Sequence, residues 1–94
     1  MYVFVDMEWI SNQHGNHWPT QLAAARVDAQ WNTVDTFSVL FRPRDFSLQQ
    51  WGHMAFSGWS REQFLDGESL HAGLDAFRLW LQPEDTICWW HQEA

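Results

Sequence analysis

The chain begins Met1-Tyr-Val-Phe-Val-Asp6-Met-Glu8-Trp9-Ile10, and this stretch determines how the rest is interpreted. Tyr2 to Val5 is aromatic and β-branched, a composition typical of a β-strand. Because side chains alternate between the two faces of a strand, Asp6 and Glu8 are predicted to project from the same face. Two neighbouring carboxylates repel each other, and a divalent cation would relieve that repulsion. The pattern also fits a strand that runs out into solvent with both acids exposed, so the spacing alone leaves both interpretations open.

The composition is that of a small globular protein. The chain has 94 residues, of which 46% are hydrophobic and 18% charged, so we expect one domain with a modest core. Twelve Asp and Glu against five Arg and no Lys give a formal net charge of −7. This balance excludes a general nucleic-acid binder that relies on cationic contacts to phosphate. It remains compatible with an enzyme that reaches phosphates through bound metal ions.

The single cysteine and the N-terminus bear on the compartment. Cys88 has no partner for an internal disulfide, which indicates a reducing environment. The N-terminus lacks the basic region of a secretory signal, and no uncharged apolar stretch approaches the roughly 18 residues that a membrane helix needs. We therefore predict a cytoplasmic protein with no membrane association.

The segment Ser11–Thr20 is polar, contains Gly15 and Pro19, and is predicted to be a loop. Within it, His14 and His17 are three residues apart, a spacing that occurs in metal sites. No Cys or carboxylate accompanies them in the loop, so solvated histidines are the simpler interpretation.

Two further strands are predicted at Gln21–Val27 and Thr33–Phe41, with a short connection at Asp28–Asn32. The spacing favours an antiparallel hairpin, although the three alanines of the first strand also fit a helix. Arg42-Pro43-Arg44 ends the second strand, because proline has no amide donor for a neighbouring strand. Residues 45–59 are predicted to be irregular.

Two helices and a last strand follow. Ser60 and Gln63 form the capping-box pattern of a short helix, and Ser69 is predicted to cap a longer one that Pro83 ends. The last strand is Thr86–Trp90. Because a helical crossover usually returns the chain parallel to an existing strand, we predict an α/β fold in which the last strand lies beside the first. The apolar face of the longer helix consists of Leu70, Leu74, Phe77 and Leu81, with Trp80 widening it.

Four segments occur in the order in which a known family has them. They are Val3-Phe-Val-Asp6-Met-Glu8, Phe37-Ser-Val-Leu-Phe-Arg-Pro43, His53-Met-Ala-Phe-Ser-Gly58-Trp-Ser60 and Leu74-Asp-Ala-Phe-Arg-Leu-Trp-Leu81. In these segments the chain resembles the DEDD (DnaQ-like) 3′–5′ exonuclease family, which includes ribonuclease T and the proofreading subunit of bacterial DNA polymerase III. The resemblance covers nearly the whole chain but only the N-terminal portion of a family domain. It implies a ribonuclease-H-like fold with a truncated mixed sheet.

The resemblance also implies an activity and a site. Asp6 and Glu8 match the first acidic motif, whose carboxylates bind two catalytic ions, here Mg²⁺ or Mn²⁺, for phosphodiester hydrolysis. Met7, Phe56 and Ser57 match positions that face the substrate, the 3′ end of single-stranded DNA or RNA. The implied function is a metal-dependent 3′–5′ exonuclease domain.

The chain departs from the family pattern in two respects. Trp9 stands where the family usually has a small hydroxyl residue. The aspartates of the second and third motifs and the catalytic His or Tyr have no counterpart, and Glu93 matches none of them. Two carboxylates hold a metal pair poorly, so we expect an incomplete domain that is inactive alone. The rest of the site is expected in a missing C-terminal portion. A truncated sheet also leaves a strand edge and aromatic surface uncovered, which favours association into a homo-oligomer or strand exchange.

Two other classes of function fit the sequence. One is a non-catalytic ribonuclease-H-like module that binds a partner protein through a Trp-rich surface, and the other is a small structural domain in which the two acids are incidental. The tryptophans fit either base-stacking platforms or core, and burial statistics favour core. The residues in question are Trp51, Trp59, Trp89 and Trp90.

Overall fold

The computed structural model describes residues 1–11, 15, 17–44, 46–54 and 57–89. Within them the strands form one sheet in the order β3-β2-β1-β4. The elements in chain order are β1 (Tyr2–Ser11), β2 (His17–Val27), β3 (Thr33–Leu40), α1 (Leu48–Met54), α2 (Arg61–Leu65), α3 (Leu70–Trp80) and β4 (Thr86–Trp89).

The sheet is mixed, as predicted. β1 and β2 pair antiparallel, and so do β2 and β3. β4 pairs parallel to β1, with Tyr2 opposite Thr86 and Val5 opposite Trp89. The prediction that the chain returns through helices to lie beside its first strand is therefore confirmed.

One face of the sheet carries the core. Val3 and Val5 on β1 are 0% and 1% exposed, and they cluster with Leu22 of β2 and Phe77 of α3. Phe41, which follows β3, is fully buried in the same cluster. α3 therefore covers one face of the sheet, while Tyr2 and Phe4 on the other face are 44% and 40% exposed.

The β2–β3 connection is a tight turn organised by Asp28. Its Oδ1 accepts hydrogen bonds from the amides of Gln30 and Asn32, each over 2.9 Å. Trp31 has φ +65°, and its ring stacks on that of Tyr2 at 5.8 Å between centroids. The predicted hairpin is confirmed, and the three alanines of β2 are extended rather than helical.

The predicted helix starts are confirmed. Ser60 and Gln63 form both hydrogen bonds of a capping box at α2, and Ser69 accepts from the amide of Ala72 at the start of α3. α3 ends at Trp80, ahead of Pro83. One member of its predicted apolar face departs from the pattern, because Leu74 is 41% exposed.

Two predicted irregular regions contain regular structure. The predicted loop Ser11–Thr20 is wrong at both ends, since β1 continues to Ser11 and β2 begins at His17. Pro19 is tolerated in β2 because it pairs with Trp9 beside a register shift, where a missing amide donor costs little. Residues 45–59, predicted to be irregular, contain α1. His17 is an exposed residue of β2, and His14 lies outside the described residues.

The prediction that the tryptophans are core is wrong for those described. Trp89 is 60% and Trp59 38% exposed, and Trp51 is half-buried. Among the described strands β4 pairs with β1 alone, so the ring of Trp89 at this edge of the sheet finds little cover. Trp90 lies outside the described residues. None of the helices described is long and apolar enough to cross a membrane.

Candidate active site

Asp6 and Glu8 lie on the open face of β1. Both side chains are exposed, whereas Val3 and Val5, which alternate with them, belong to the core. The predicted common face is confirmed, because side chains two residues apart on a strand project to the same side. Among the described residues neither carboxylate forms an ion pair, so both negative charges are available to a cation.

Met7 lies between the two acids in sequence but on the opposite side of the strand. Its side chain is half-buried and packs against the core cluster. A contact between Met7 and a substrate stays a prediction, and this packing directs its side chain away from the face that carries the two acids.

A β-bulge fixes the direction of the strand end that carries Glu8. The register between β1 and β2 shifts between Glu8 and Trp9, and such shifts bend a strand and turn its side chains. Thr20 of β2 is 6% exposed, and its Oγ1 donates to the carbonyl oxygen of Glu8 over 3.2 Å. The main chain of Glu8 is thus held by a buried hydroxyl, while its carboxylate stays exposed.

A cavity of about 500 Å³ adjoins Glu8. Ser57 lies on its wall, so the structure brings together two residues that the sequence predicted for the site. The Ser57 hydroxyl donates to the carbonyl oxygen of Met54 over 2.7 Å and accepts from the amide of Trp59 over 3.1 Å. Phe56, the third predicted substrate contact, lies outside the described residues. The cavity is lined by Glu8, Trp9, Ile10, Thr20, Gln21, Met54, Ser57 and Phe64.

Several of these lining residues carry no signal in the sequence. Thr20 and Gln21 join the site only because β2 pairs with β1 in this register. Met54 and Phe64 arrive from α1 and α2 through packing. The alternation of side chains along a strand therefore predicts that the two acids share a face. The other residues that line the cavity are brought there by tertiary contacts, which the sequence pattern does not show.

β4 ends close to the acids. Its last described pair is Trp89 opposite Val5, the residue immediately before Asp6. Parallel neighbouring strands bring their carboxyl ends to the same edge of a sheet, the usual position for ligand-binding residues.

The chemistry of the two acids fits a hard divalent cation such as Mg²⁺ or Mn²⁺, which prefers carboxylate oxygens. Within the described part of the chain, no group of three or more His, Cys, Asp or Glu side chains is placed to hold a metal ion. The described donor set consequently consists of Asp6 and Glu8, whose Cα atoms are about 7 Å apart along an extended strand.

A mixed sheet with β4 parallel to β1 and two acids within β1 is the arrangement of a ribonuclease-H-like exonuclease domain. The chain belongs to the RNase T exonuclease family, whose model, described as Exonuclease, matches residues 3–88. The resemblance to DnaQ-like exonucleases is therefore confirmed. No curated protein matches the sequence closely.

Solved structures agree in fold. The chain is similar to E. coli exonuclease I in complex with a dT13 oligonucleotide, with 23% identity and a TM-score of 0.64 over 95% of this chain. It is also similar to the nuclease domain of 3′hExo, a DEDDh family member bound to rAMP, with 14% identity and a TM-score of 0.72 over 94% of this chain. The chain spans 20% of the first protein's length and 49% of the second's.

Proposed function

We propose that this chain carries the first acidic motif of a metal-dependent 3′–5′ exonuclease. The observation that supports this most strongly is the exposure of Asp6 and Glu8 on one face of β1 in a member of the exonuclease family, with Glu8 lining a cavity that Ser57 also lines. The proposed substrate is the 3′ end of single-stranded DNA or RNA, since solved relatives were captured with dT13 and with rAMP.

Asp6 and Glu8 would hold the divalent cations, Mg²⁺ or Mn²⁺. When bound, such cations lower the pKa of a water and stabilise the leaving oxygen of a phosphodiester. Glu8 places this chemistry at the wall of the cavity, and the Thr20 hydroxyl keeps the main chain of Glu8 in position. Asp6 lies two residues before Glu8 on the same face of β1.

The cavity beside Glu8 would hold the terminal nucleotide. A serine hydroxyl offers one donor and two acceptor sites, and Ser57 already uses the donor and one acceptor site. One lone pair remains for a donor such as a sugar hydroxyl. Trp9 is 56% exposed on the same wall, and its ring offers a surface on which a base can stack.

We further propose that these 94 residues do not hydrolyse nucleic acid by themselves. A two-metal site needs more ligands than two carboxylates supply, and general-base catalysis needs a basic group near the attacking water. Completion would come from acids and a base supplied by further chain or by a second copy.

A paramagnetic titration tests the metal site. Mn²⁺ added to the wild-type chain is expected to broaden the NMR signals of Asp6, Glu8 and their strand neighbours selectively. Asp6→Asn should weaken this effect by about tenfold or more, because half of the charged ligand set is lost. Glu84→Gln is the matched control, because Glu84 is an exposed acid at the other end of β1 from Glu8. It lies two residues before Thr86, whose amide donates to the carbonyl oxygen of Met1. Equal broadening in the wild type and in Asp6→Asn would rule out the metal site.

A hydrolysis assay tests the incompleteness. Purified chain with a labelled single-stranded oligonucleotide and Mg²⁺ is expected to release no mononucleotide. Metal-dependent release that Asp6→Asn abolishes would show that the chain is complete, and it would at the same time support the catalytic role of Asp6.

A further inference from the structure

A groove separate from the Glu8 cavity lies between the start of β2, the segment after β3 and the first turns of α3. Its volume is about 610 Å³. It unites residues that are far apart in sequence, and no motif of the family resemblance assigns it a role. We call it the basic groove, and it is lined by Trp18, Arg42, Pro43, Arg44, Ser69, Leu70, His71 and Leu74.

The basic groove holds two of the five arginines of an acidic chain. The other three are engaged elsewhere: Arg26 and Arg78 form ion pairs with aspartates, and Arg61 lies over the ring of Trp51 at 4.8 Å. Among the described residues neither groove arginine is ion-paired. The positive charge available to an external anion is thus concentrated here.

The side chain of Arg42 is held by one hydrogen bond, and its other N–H groups remain available to a ligand. One guanidinium nitrogen donates to the carbonyl oxygen of Gly67 over 3.3 Å. A guanidinium has five N–H donors in a planar fork, which suits bidentate contact with phosphate. His71 contributes less charge to the groove, because it pairs with Asp75 at 3.3 Å.

Trp18 gives the groove an aromatic wall of fixed orientation. Its indole N–H donates to the carbonyl oxygen of Arg42 over 3.1 Å, and the side chain is half-buried. Pro43 and Leu74 add apolar surface beside it. An aromatic ring next to cationic side chains is the combination that single-stranded nucleic acid uses, with bases stacked on rings and phosphates on arginines.

The groove lies at the same end of the sheet as Glu8. Thr20 links the two regions, because its hydroxyl donates to Glu8 while its carbonyl oxygen accepts from the amide of Phe41 over 3.0 Å. Trp18 lies two residues before Thr20 on β2, and Arg42 directly follows Phe41. Trp18 and Arg42 are joined by the hydrogen bond from the Trp18 indole to the Arg42 carbonyl oxygen. The groove and the Glu8 cavity therefore have lining residues on the same strand.

We infer that the basic groove is a second subsite for the same substrate, and that it binds a phosphate and a base upstream of the 3′ end of a single strand. This inference rests on the proposed function. The arginines supply affinity for the backbone without reading sequence. The ring of Trp18 supplies a stacking surface that tolerates any base. A polyanionic strand is thereby held although the chain as a whole carries −7.

Fluorescence anisotropy with a 5′-labelled oligothymidylate tests the inference on the full chain in EDTA, where metal-dependent binding and cleavage are absent. Arg42→Gln combined with Arg44→Gln should weaken binding by about 10- to 30-fold near 0.1 M salt, because two phosphate contacts to a single strand are lost. The slope of log affinity against log salt should become shallower by about 1.4. Trp18→Leu should weaken binding with little change in that slope.

Arg78→Gln is the matched control, since Arg78 is an exposed arginine paired with Asp75 on α3 and does not line the groove. It should leave affinity within about twofold of wild type, because an ion-paired arginine outside the groove contacts no phosphate. Arg44→Gln alone keeps the test valid if Arg42→Gln unfolds the chain, because only Arg42 bonds to Gly67. A thermal melt of each variant identifies loss of fold.

Three results would overturn the inference. The first is unchanged oligonucleotide affinity in the double variant, and the second is no oligonucleotide binding by the wild type at low salt. The third is displacement of the oligonucleotide by polyglutamate at equal charge, together with no effect of Trp18→Leu. The last result would identify an acidic peptide as the occupant. None of them affects the Mn²⁺ titration, which the groove variants should leave unchanged, so failure of the groove and failure of the proposed metal site are distinguishable.

Discussion

Arg26 carries a positive charge into the interior of the domain, where it is 4% exposed. Its guanidinium donates twice to Asp85, over 2.9 and 3.1 Å, and also to the carbonyl oxygen of Trp80 over 2.8 Å. A weaker contact to Asp35 and the ring of Trp80, 4.0 Å from the guanidinium carbon, complete its surroundings. The two aspartates, the carbonyl oxygen and the aromatic ring together compensate the positive charge of Arg26, as the burial of an ion requires.

Replacing Arg26 by Met should destabilise the chain by about 3–5 kcal/mol, because Asp85 would remain buried without its partner. Urea denaturation measures this loss. Adding Asp85→Leu to Arg26→Met should recover part of it, since the orphaned charge is removed.

Arg78→Met is the control for that measurement, because the Arg78 side chain is 72% exposed and its ion pair with Asp75 lies at the surface. We expect a change within about 0.5 kcal/mol. If Arg26→Met were as mild as Arg78→Met, the buried pair would contribute nothing to stability.

For individual residues, the sequence predicts features that depend on the alternation of side chains along a strand. It does not predict contacts between residues that are far apart in sequence. Asp6 and Glu8 could be placed on one face because a strand has a period of two. The role of Arg26 could not be predicted, because its partners Trp80 and Asp85 are 54 and 59 residues away in sequence. The basic groove was missed for the same reason, since Trp18 and Arg42 are 24 residues apart.

Among the elements, α3 is fitted closely against the core at Gly73. A methyl group built there would lie 2.5 Å from Cε1 and 3.0 Å from Cδ1 of Phe41, whose side chain is fully buried. Gly73→Ala gains about 1 kcal/mol of helix propensity but overpacks a rigid ring, which costs about 1–3 kcal/mol. We expect net destabilisation of up to about 2 kcal/mol in urea denaturation.

Gly52→Ala, measured in the same urea denaturation assay, is expected to stabilise the chain instead. Gly52 lies in α1 with nothing within 4 Å of the added methyl group, so only the helix-propensity gain applies. Stabilisation of up to about 1 kcal/mol is expected. Stabilisation by both alanine variants would mean that α3 can move away from Phe41.

The elements themselves differ in how far the sequence predicts them. α2 and α3 have serine caps whose pattern is local, and both were predicted at their observed starts. α1 has Gly52 in its middle, which lowers its helix propensity. Ser47 and Gln50 at its start form the same Ser-x-x-Gln pattern as at α2, with the Ser47 amide donating to Gln50 Oε1 over 3.0 Å, and the prediction of an irregular region overlooked this signal. The beginning of β2 was missed because Pro19 normally ends strands, and only the register shift at Glu8 makes it acceptable there.

For the molecule as a whole, the sheet has one covered and one open face. The open face presents Tyr2, Phe4 and Trp31 beside the two acids, and Trp31 is 68% exposed. Burial statistics for single residue types cannot anticipate this, because they are averages over many folds and do not record which face of a particular sheet is covered. Self-association through such a face stays a prediction, which the net charge of −7 would oppose at low salt.

Asp85 connects distant parts of the molecule and makes its stability dependent on pH. Its Oδ2 accepts from Arg26 on β2 and from the amide of Gln82, while its Oδ1 lies 3.6 Å from the amino group of Met1. Hydrogen bonding from Arg26, aided by the Gln82 amide, lowers the pKa of Asp85 although burial opposes this. A group with a lowered folded-state pKa stabilises the fold above its unfolded pKa of about 4 and loses that contribution as pH falls.

We therefore expect the free energy of unfolding to decrease as the pH falls below about 4, and Asp85→Asn to make this decrease shallower. Urea denaturation at a series of pH values between 6 and about 2 measures both curves. Asp28→Asn serves as comparison, because the Asn32 amide lowers the pKa of Asp28 in an exposed turn that connects only β2 and β3. An acid dependence that Asp28→Asn reduces and Asp85→Asn leaves intact would assign the titration to the turn. The ion pair that joins β2 to the start of β4 would then contribute no pH dependence.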